Sequence, residues 1–318
     1  MKKKFMLYLP IFSVLLGASN LGQESLFSKK NQQNRMLELP SGAKVKFREF
    51  MSVALGGKAQ YAIFLPSEYN QKLSRSFPVI YFLHGMHNDH TSWTEKRYGN
   101  LPLVIDKLIL THKIPPFIMV HPNGNNSFYT NTLNGNKKYE NYIYKDLIRE
   151  IENNFRARIS RSSRALAGTS MGGYGALKIA MKYPELYSSV ASASPIIFLG
   201  NDPSREIANL NPRHAKFLTS VFHPIFGIPF NLEHWKKNSI ELLAQTQDLK
   251  DLNIYIAYGT ADRYLSHFPM EKGINKVNNI LNQRNISHTF RIYHGEPHGW
   301  ELIRRNIGEI LEFLTATF

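Results

Sequence analysis

The stretch LAGTSMGGYG, residues 166–175, sets Ser170 between Gly168 and Gly172. A serine hydroxyl is a poor nucleophile near neutral pH unless a neighbouring base takes its proton, so the surroundings decide whether this serine is incidental. RALAGTS (164–170) reads as a strand, and GGYGALKIAMKYP (172–184) reads as a helix that Pro184 helps to end. A GxSxG pattern at a strand-to-helix turn lifts the serine oxygen above a sheet. Glycine on both sides has a steric reason, because so sharp a turn brings neighbouring backbone close enough to collide with a β-carbon. The helix behind the serine aims its first free amides at the same point and favours negative charge there. Three fixed positions at about 7% usage each recur by chance in roughly one chain in ten of this length, so the strand and helix around the pattern carry the inference.

Working outward, AQYAIFLP (59–66), PVIYFLHG (78–85) and FIMVHPNG (117–124) read as strands before the turn. SSVASASP (188–195), NIYIAYG (253–259) and HTFRIYHG (288–295) read as strands after it. PVIYFLHG is almost wholly apolar, the mark of a strand buried on both faces. YENYIYKDLIREIENNF (139–155) places Ile143, Leu147, Ile148 and Ile151 on one helical face, and Met270 to Gln283 reads as another helix. Strands alternating with helices predict an α/β fold with a mostly parallel central sheet flanked by helices on both faces. Residues 197–250 break that rhythm with a stretch rich in proline, histidine and aromatics. The expectation is a helical insertion after the nucleophile half, either walling a pocket or merely packing.

The chain has 318 residues, 43% of them hydrophobic, enough for one large core. Its opening, MKKKFMLYLPIFSVLLGASN, combines a lysine-rich start, an apolar run from Phe5 to Gly17 and small residues behind it. Residues 1–20 therefore read as a signal peptide, 21–44 as a polar tether and 45–318 as the folded domain, giving a secreted or periplasmic protein. A retained membrane anchor is the rival reading, but the run is shorter than the ~20 residues needed to span a bilayer and Pro10 interrupts it. Cysteine is absent, which excludes disulfides, a thiol nucleophile and thiolate metal sites. The net charge of +15 is scattered in short clusters such as RARISRSSR (156–164) and HWKKN (234–238). With no nucleic-acid motif among them, a solvated basic surface is expected and nucleic acid is not expected as a partner.

A nucleophilic serine needs a histidine base, and the base needs an acid to hold it, in the chain order serine, acid, histidine. Asp262 follows the strand NIYIAYG and would stand at its carboxyl end, whereas Asp251 precedes that strand and Asp202 lies near the insertion. For the base, His298 lies in the loop between Pro297 and Gly299, while His294 belongs to the end of the preceding strand. Neighbouring Glu296 reads equally as a turn residue or as tuning that loop. Oxyanion donors are expected from the backbone amides of Met171, directly after the serine, and of Met86, on a loop where Gly85 permits close approach. His84, His87, His90 and Asp89 crowd that loop, but without an HExxH helix no metal is expected; His84 is read as bracing the loop through backbone bonds. No cofactor is needed for such chemistry.

The segments LHGMHNDHTSW, HPNGNNSFYTN, GTSMGGYGALKIAMKYPELYSSVASASP and GEPHGW together resemble the esterase D, or putative esterase, family of α/β-hydrolases. The family includes S-formylglutathione hydrolases, feruloyl and acetyl xylan esterases, tributyrin esterases and mycolyltransferases, and the resemblance runs over residues 45–316. It implies Ser170 as nucleophile, Asp262 as acid, His298 as base and the amides of Met86 and Met171 as oxyanion hole. It also implies Trp93 and Tyr129 at the border of the substrate pocket. One departure is Asn123, where relatives often carry aspartate. The resemblance implies a secreted serine carboxylesterase acting on a small-molecule or glycan-linked ester through an acyl-enzyme; an export signal argues against a cytosolic formylglutathione substrate. Acyl transfer to a sugar or lipid hydroxyl, or a binding protein that has lost activity, are the alternatives.

Overall fold

In the computed structural model, which describes residues 35–200, 202–265, 268 and 270–318, the sheet grows from the buried strand at residues 79–83. The strands are β1 (Met36–Glu38), β2 (Lys44–Ser52), β3 (Gly57–Leu65), β4 (Val79–Leu83), β5 (Ile118–Pro122), β6 (Arg164–Thr169), β7 (Ser189–Ala193), β8 (Asn253–Gly259) and β9 (His288–Tyr293). They form one nine-stranded sheet in the order β1-β2-β3-β5-β4-β6-β7-β8-β9. The strands β5, β4, β6, β7, β8 and β9 run parallel, and β1 to β3 extend the sheet antiparallel beyond β5. Every residue of β4 to β7 is buried, as parallel strands covered on both faces require.

Side chains alternate across the strands and so divide the core. Val79, Tyr81 and Leu83 enter one apolar layer, and Ile80 and Phe82 enter the other. The helices are α1 (Glu68–Gln71), α2 (Leu101–Leu110), α3 (Tyr139–Asn141), α4 (Ile148–Asn154), α5 (Met171–Lys182), α6 (Pro203–Ala208), α7 (Pro212–Phe226), α8 (Leu232–Lys236), α9 (Ile240–Thr246), α10 (Met270–Gln283) and α11 (Trp300–Thr315). Leu177, Ala180 and Met181 of α5, Leu243 of α9 and Ile274 and Val277 of α10 fill the first layer. Ile105 and Ile109 of α2 join Leu302, Ile303, Ile307 and Leu311 of α11 in the second. The α/β architecture expected from the alternation of strands and helices is the one observed.

Two local differences from what the sequence predicts have physical causes, and the insertion follows its prediction. The sheet begins at Met36, inside the stretch 21–44 read as a tether, because Met36–Glu38 finds β2 as an antiparallel neighbour. The amphipathic run 139–155 is not one α-helix: Tyr142–Leu147 between α3 and α4 is a π-helix. Its wider turn keeps Tyr142, Ile143 and Leu147 buried while Asp146 reaches the β2–β3 turn, accepting from Ser52 Oγ at 2.6 Å and the Ala54 amide at 2.8 Å. The insertion 197–250 folds as α6 to α9 and does both things considered for it. Leu218, Phe222, Ile225 and Phe226 of α7 enter the core, and Phe217 of the same helix faces a cavity. The reading of residues 1–20 as a signal peptide lies outside the described residues. Among the described residues no helix is long and apolar enough to cross a membrane.

Candidate active site

Parallel strands deliver the loops that follow them to one edge of the sheet, and the candidate residues converge there. Ser170 follows β6 and caps α5 with φ 57° and ψ −120°, a conformation costing about 1–3 kcal/mol for a residue with a β-carbon. The turn is held by Ser170 N–H donating to Ala193 O at 2.9 Å and Tyr174 N–H donating to Ser170 O at 3.0 Å. Its glycines are steric necessities. A β-carbon on Gly168 would lie 2.2 Å from Gly172 O, and one on Gly172 would lie 2.0 Å from Leu83 O. Helix α5 therefore starts almost in contact with the end of β4, which brings Gly85 against the Cβ of Ser170.

His298 Nδ1 donates to Asp262 Oδ2 at 2.5 Å, and Asp262 Oδ1 accepts the Tyr264 amide at 2.9 Å. The carboxylate is fully buried, whereas the imidazole keeps 12% of its surface and, with Ser170, lines a cavity of about 570 Å³. The loops of Asp262 and His298 are joined by backbone. Ala261 N–H donates to Glu296 O at 3.0 Å, Thr260 N–H donates to Tyr293 O at 3.0 Å, and a β-carbon on Gly259 would sit 2.1 Å from Glu296 O. Glu296 itself pairs with Arg305 at 3.2 Å. The rival candidates lie elsewhere: Asp251 is exposed before β8, Asp202 caps α6 by accepting from Ser204 N, and His294 is exposed after β9.

Met86 lines the cavity and Met171 is the first residue of α5, where a helix leaves its amide without an intrahelical acceptor. The loop carrying Met86 is braced by His84. Its ring Nδ1 lies 2.8 Å from Gly85 O and its Nε2 lies 2.9 Å from Gly124 N. A carbonyl can only accept and an amide only donate, so the ring is the neutral tautomer protonated at Nδ1. Burial favours the same form by pushing His84 down to about 4. His84 thus braces the loop through backbone groups, as its sequence position suggested. Asn123 hydrogen-bonds locally, its Oδ1 accepting from Asn125 N at 3.1 Å.

Trp93 and Tyr129, expected at the pocket border, are both fully buried and belong to the packing under the site. Trp93 stacks on His121 with ring centroids 5.3 Å apart, and Tyr129 donates its hydroxyl to His84 O at 3.1 Å. The aromatic surface of the cavity comes instead from Tyr98, Phe217, Tyr264, Phe268 and Trp300. Tyr264 meets the His298 ring edge-on at 4.6 Å, and Tyr98 and Trp300 pack at 5.5 Å. Two of these had sequence signals: Trp300 closes GEPHGW and Tyr264 lies two residues past Asp262. Phe217 had none, because nothing local says which insertion residue faces the sheet edge. Among the described residues no group of three histidine or acidic side chains is placed to hold a metal ion.

A serine lifted on a strand–helix elbow above a mostly parallel sheet, beside an Asp–His pair delivered by later strands, defines an α/β-hydrolase. More particularly, residues 52–311 match the family described as Putative esterase, and the chain belongs to that family. It is 34% identical over 152 residues to an esterase of Mycobacterium tuberculosis, covering 46% of this chain and 31% of that protein. It is 33% identical over 138 residues to an endo-1,4-beta-xylanase/feruloyl esterase of Xylanibacter ruminicola, covering 41% of this chain and 19% of that one. The chain therefore spans under a third of the length of these curated relatives. A solved ferulic acid esterase shares the fold, with a TM-score of 0.70 and 22% identity over 87% of this chain and 98% of that chain.

Proposed function

We propose that the protein is a serine carboxylesterase working through an acyl-enzyme. The observation that carries the reading is the 2.5 Å hydrogen bond from His298 Nδ1 to the buried Asp262, on an imidazole that shares its cavity with the strained Ser170. With Nδ1 engaged, Nε2 is the nitrogen left to accept a proton. Ser170 Oγ attacks the ester carbonyl as His298 takes its proton, and Asp262 stabilises the imidazolium. The tetrahedral oxyanion is received by the amides of Met86 and Met171, and His298 then protonates the departing alcohol and activates water for deacylation. Aromatic walls support an ester of a small molecule or of a glycan as substrate, in line with the feruloyl esterase named among the relatives. Export by cleavage near residues 18–22 is part of the same proposal and rests on the composition of MKKKFMLYLPIFSVLLGASN.

The test is turnover of p-nitrophenyl acetate by Ser170→Ala, together with labelling by an active-site phosphonate. The variant is expected to lose about six orders of magnitude in kcat if chemistry limits the rate, and the probe is expected to attach at Ser170 only. Hydrolysis by Ser170→Ala at the wild-type rate would overturn the assignment.

A further inference from the structure

The proposed mechanism makes no use of one buried charge close to its centre. Lys178 lies on α5, about two turns beyond Ser170, and is wholly inaccessible to solvent. An ammonium is strongly disfavoured in such a place unless it is both paired and hydrogen-bonded, and here it is. Its Nζ donates to Tyr129 O at 2.8 Å and Thr130 Oγ1 at 2.7 Å, and it forms an ion pair with Glu140 Oε2 at 2.8 Å. Glu140 Oε1 in turn accepts from Lys182 Nζ at 2.7 Å and from the Tyr183 hydroxyl at 3.0 Å. Burial draws Lys178 down to about 8; burial also pushes the Glu140 carboxyl up, but the two lysines outweigh it and hold it at about 2. Both partners therefore stay charged at neutral pH.

The backbone that Lys178 grips is itself strained. Phe128 and Tyr129 both have φ of 50°, two consecutive left-handed residues with large side chains, a conformation that persists only when its surroundings impose it. Lys178 fixes the carbonyl and hydroxyl just beyond the bend, and Ser127 Oγ accepts the Tyr129 amide at 3.0 Å. The Tyr129 ring is clamped between two glycines. A β-carbon on Gly124 would lie 2.2 Å from the ring, and one on Gly175 of α5 would lie 2.5 Å from it. Held in that slot, the phenol reaches His84 O at 3.1 Å, and the His84 ring engages Gly85 O, the residue before Met86.

We infer that Lys178 and Glu140 are positioning residues for the oxyanion hole, acting through Tyr129 and His84 to hold the Met86 amide in register with Ser170. The arrangement refers both proposed donors to a single rigid body. Met171 is the first residue of α5, and the loop of Met86 is tied back to the same helix through Lys178 and the slot at Gly175. The inference rests on the proposed acyl-enzyme reading.

The test compares an ester with its thiono analogue, whose sulfur gains little from oxyanion-hole amides, in wild type, Tyr129→Phe and Lys178→Met. Tyr129→Phe keeps the ring in its slot and removes only the hydroxyl link to His84. It is expected to lower kcat for the oxygen ester by about tenfold with KM within about twofold, while the thiono rate holds, because a misplaced donor costs transition-state stabilisation and not ground-state binding. Lys178→Met is expected to lower the oxygen-to-sulfur ratio by about a hundredfold, near the loss of a whole donor. An unchanged ratio in Tyr129→Phe, with Ser170 still essential, overturns this inference and leaves the esterase assignment standing. Turnover without Ser170 overturns that assignment instead. Should Lys178→Met not fold, the ratio in Tyr129→Phe decides alone.

Discussion

Gly172→Ala is the sharpest test of how the elbow is built. The added methyl would stand 2.0 Å from Leu83 O and 2.7 Å from His84 O, both backbone atoms that no rotamer change can move. Ordinary contact begins near 3.4 Å, so the end of β4 and the start of α5 must part by about 1 Å or more. Overpacking of a close-fitted interior costs about 1–3 kcal/mol, and the same displacement separates Ser170 from the Met86 loop. A misplacement of about 1 Å at reacting groups costs roughly a hundredfold in rate. The expected outcome is a kcat/KM on p-nitrophenyl acetate lowered by about 10² with a fall in Tm. Gly308→Ala on α11 is the internal control, since nothing lies within 4 Å of its β-carbon position. There alanine should be neutral or stabilise by up to about 1 kcal/mol, from helix propensity alone. Wild-type activity and Tm in Gly172→Ala would refute the account of the turn.

Two further outcomes follow from the site. His84 has a lowered folded pKa of about 4 against 6.5, and His121, buried among aromatic rings, is also held well below 6.5, in both cases first by burial. The unfolded chain then binds more protons than the fold below pH 6.5, so stability is full above that pH and is lost as pH falls toward 4, by about 3 kcal/mol for His84 alone. Chemical denaturation between pH 7 and 4 checks this, and a flat profile would contradict it. Phe217→Ala removes one cavity wall while Leu218, Phe222, Ile225 and Phe226 keep α7 docked. KM for esters of bulky acids should rise about tenfold with acetyl esters barely affected, a loss at the low end of the ~1.5–3 kcal/mol of a buried apolar side chain; equal effects on both would remove Phe217 from the pocket.

Much of this architecture is legible in the chain because β4, β5, β6 and β8 are short, mostly apolar runs whose burial on both faces leaves little ambiguity. Asp262 and His298, the proposed acid and base, stand after β8 and β9, where the fold must deliver loops to one edge. The edge strand β1 was not, since three residues with exposed flanks carry almost no periodic signal and gain their structure from β2. The amphipathic spacing of Trp300, Ile303, Ile307, Ile310 and Leu314 is the signal that could have found α11. Trp93 and Tyr129 show the limit of motif position. Both sit in segments that adjoin the site, yet whether an aromatic ring faces substrate or supports a loop from beneath depends on backbone direction. For Tyr129 that direction is set by two glycines, Gly124 and Gly175, distant from each other in sequence.

The weld between the loops bearing Asp262 and His298 limits which parts of this chain can be exchanged separately. Since Gly259 and Ala261 lie directly on Glu296, the two loops behave as a single module. A swap that imports a relative's carboxyl-terminal loop must therefore bring its 259–262 segment along, or the imported histidine will arrive out of line with its carboxylate. A chimaera of this chain should accordingly keep its breakpoints out of the interval between those segments.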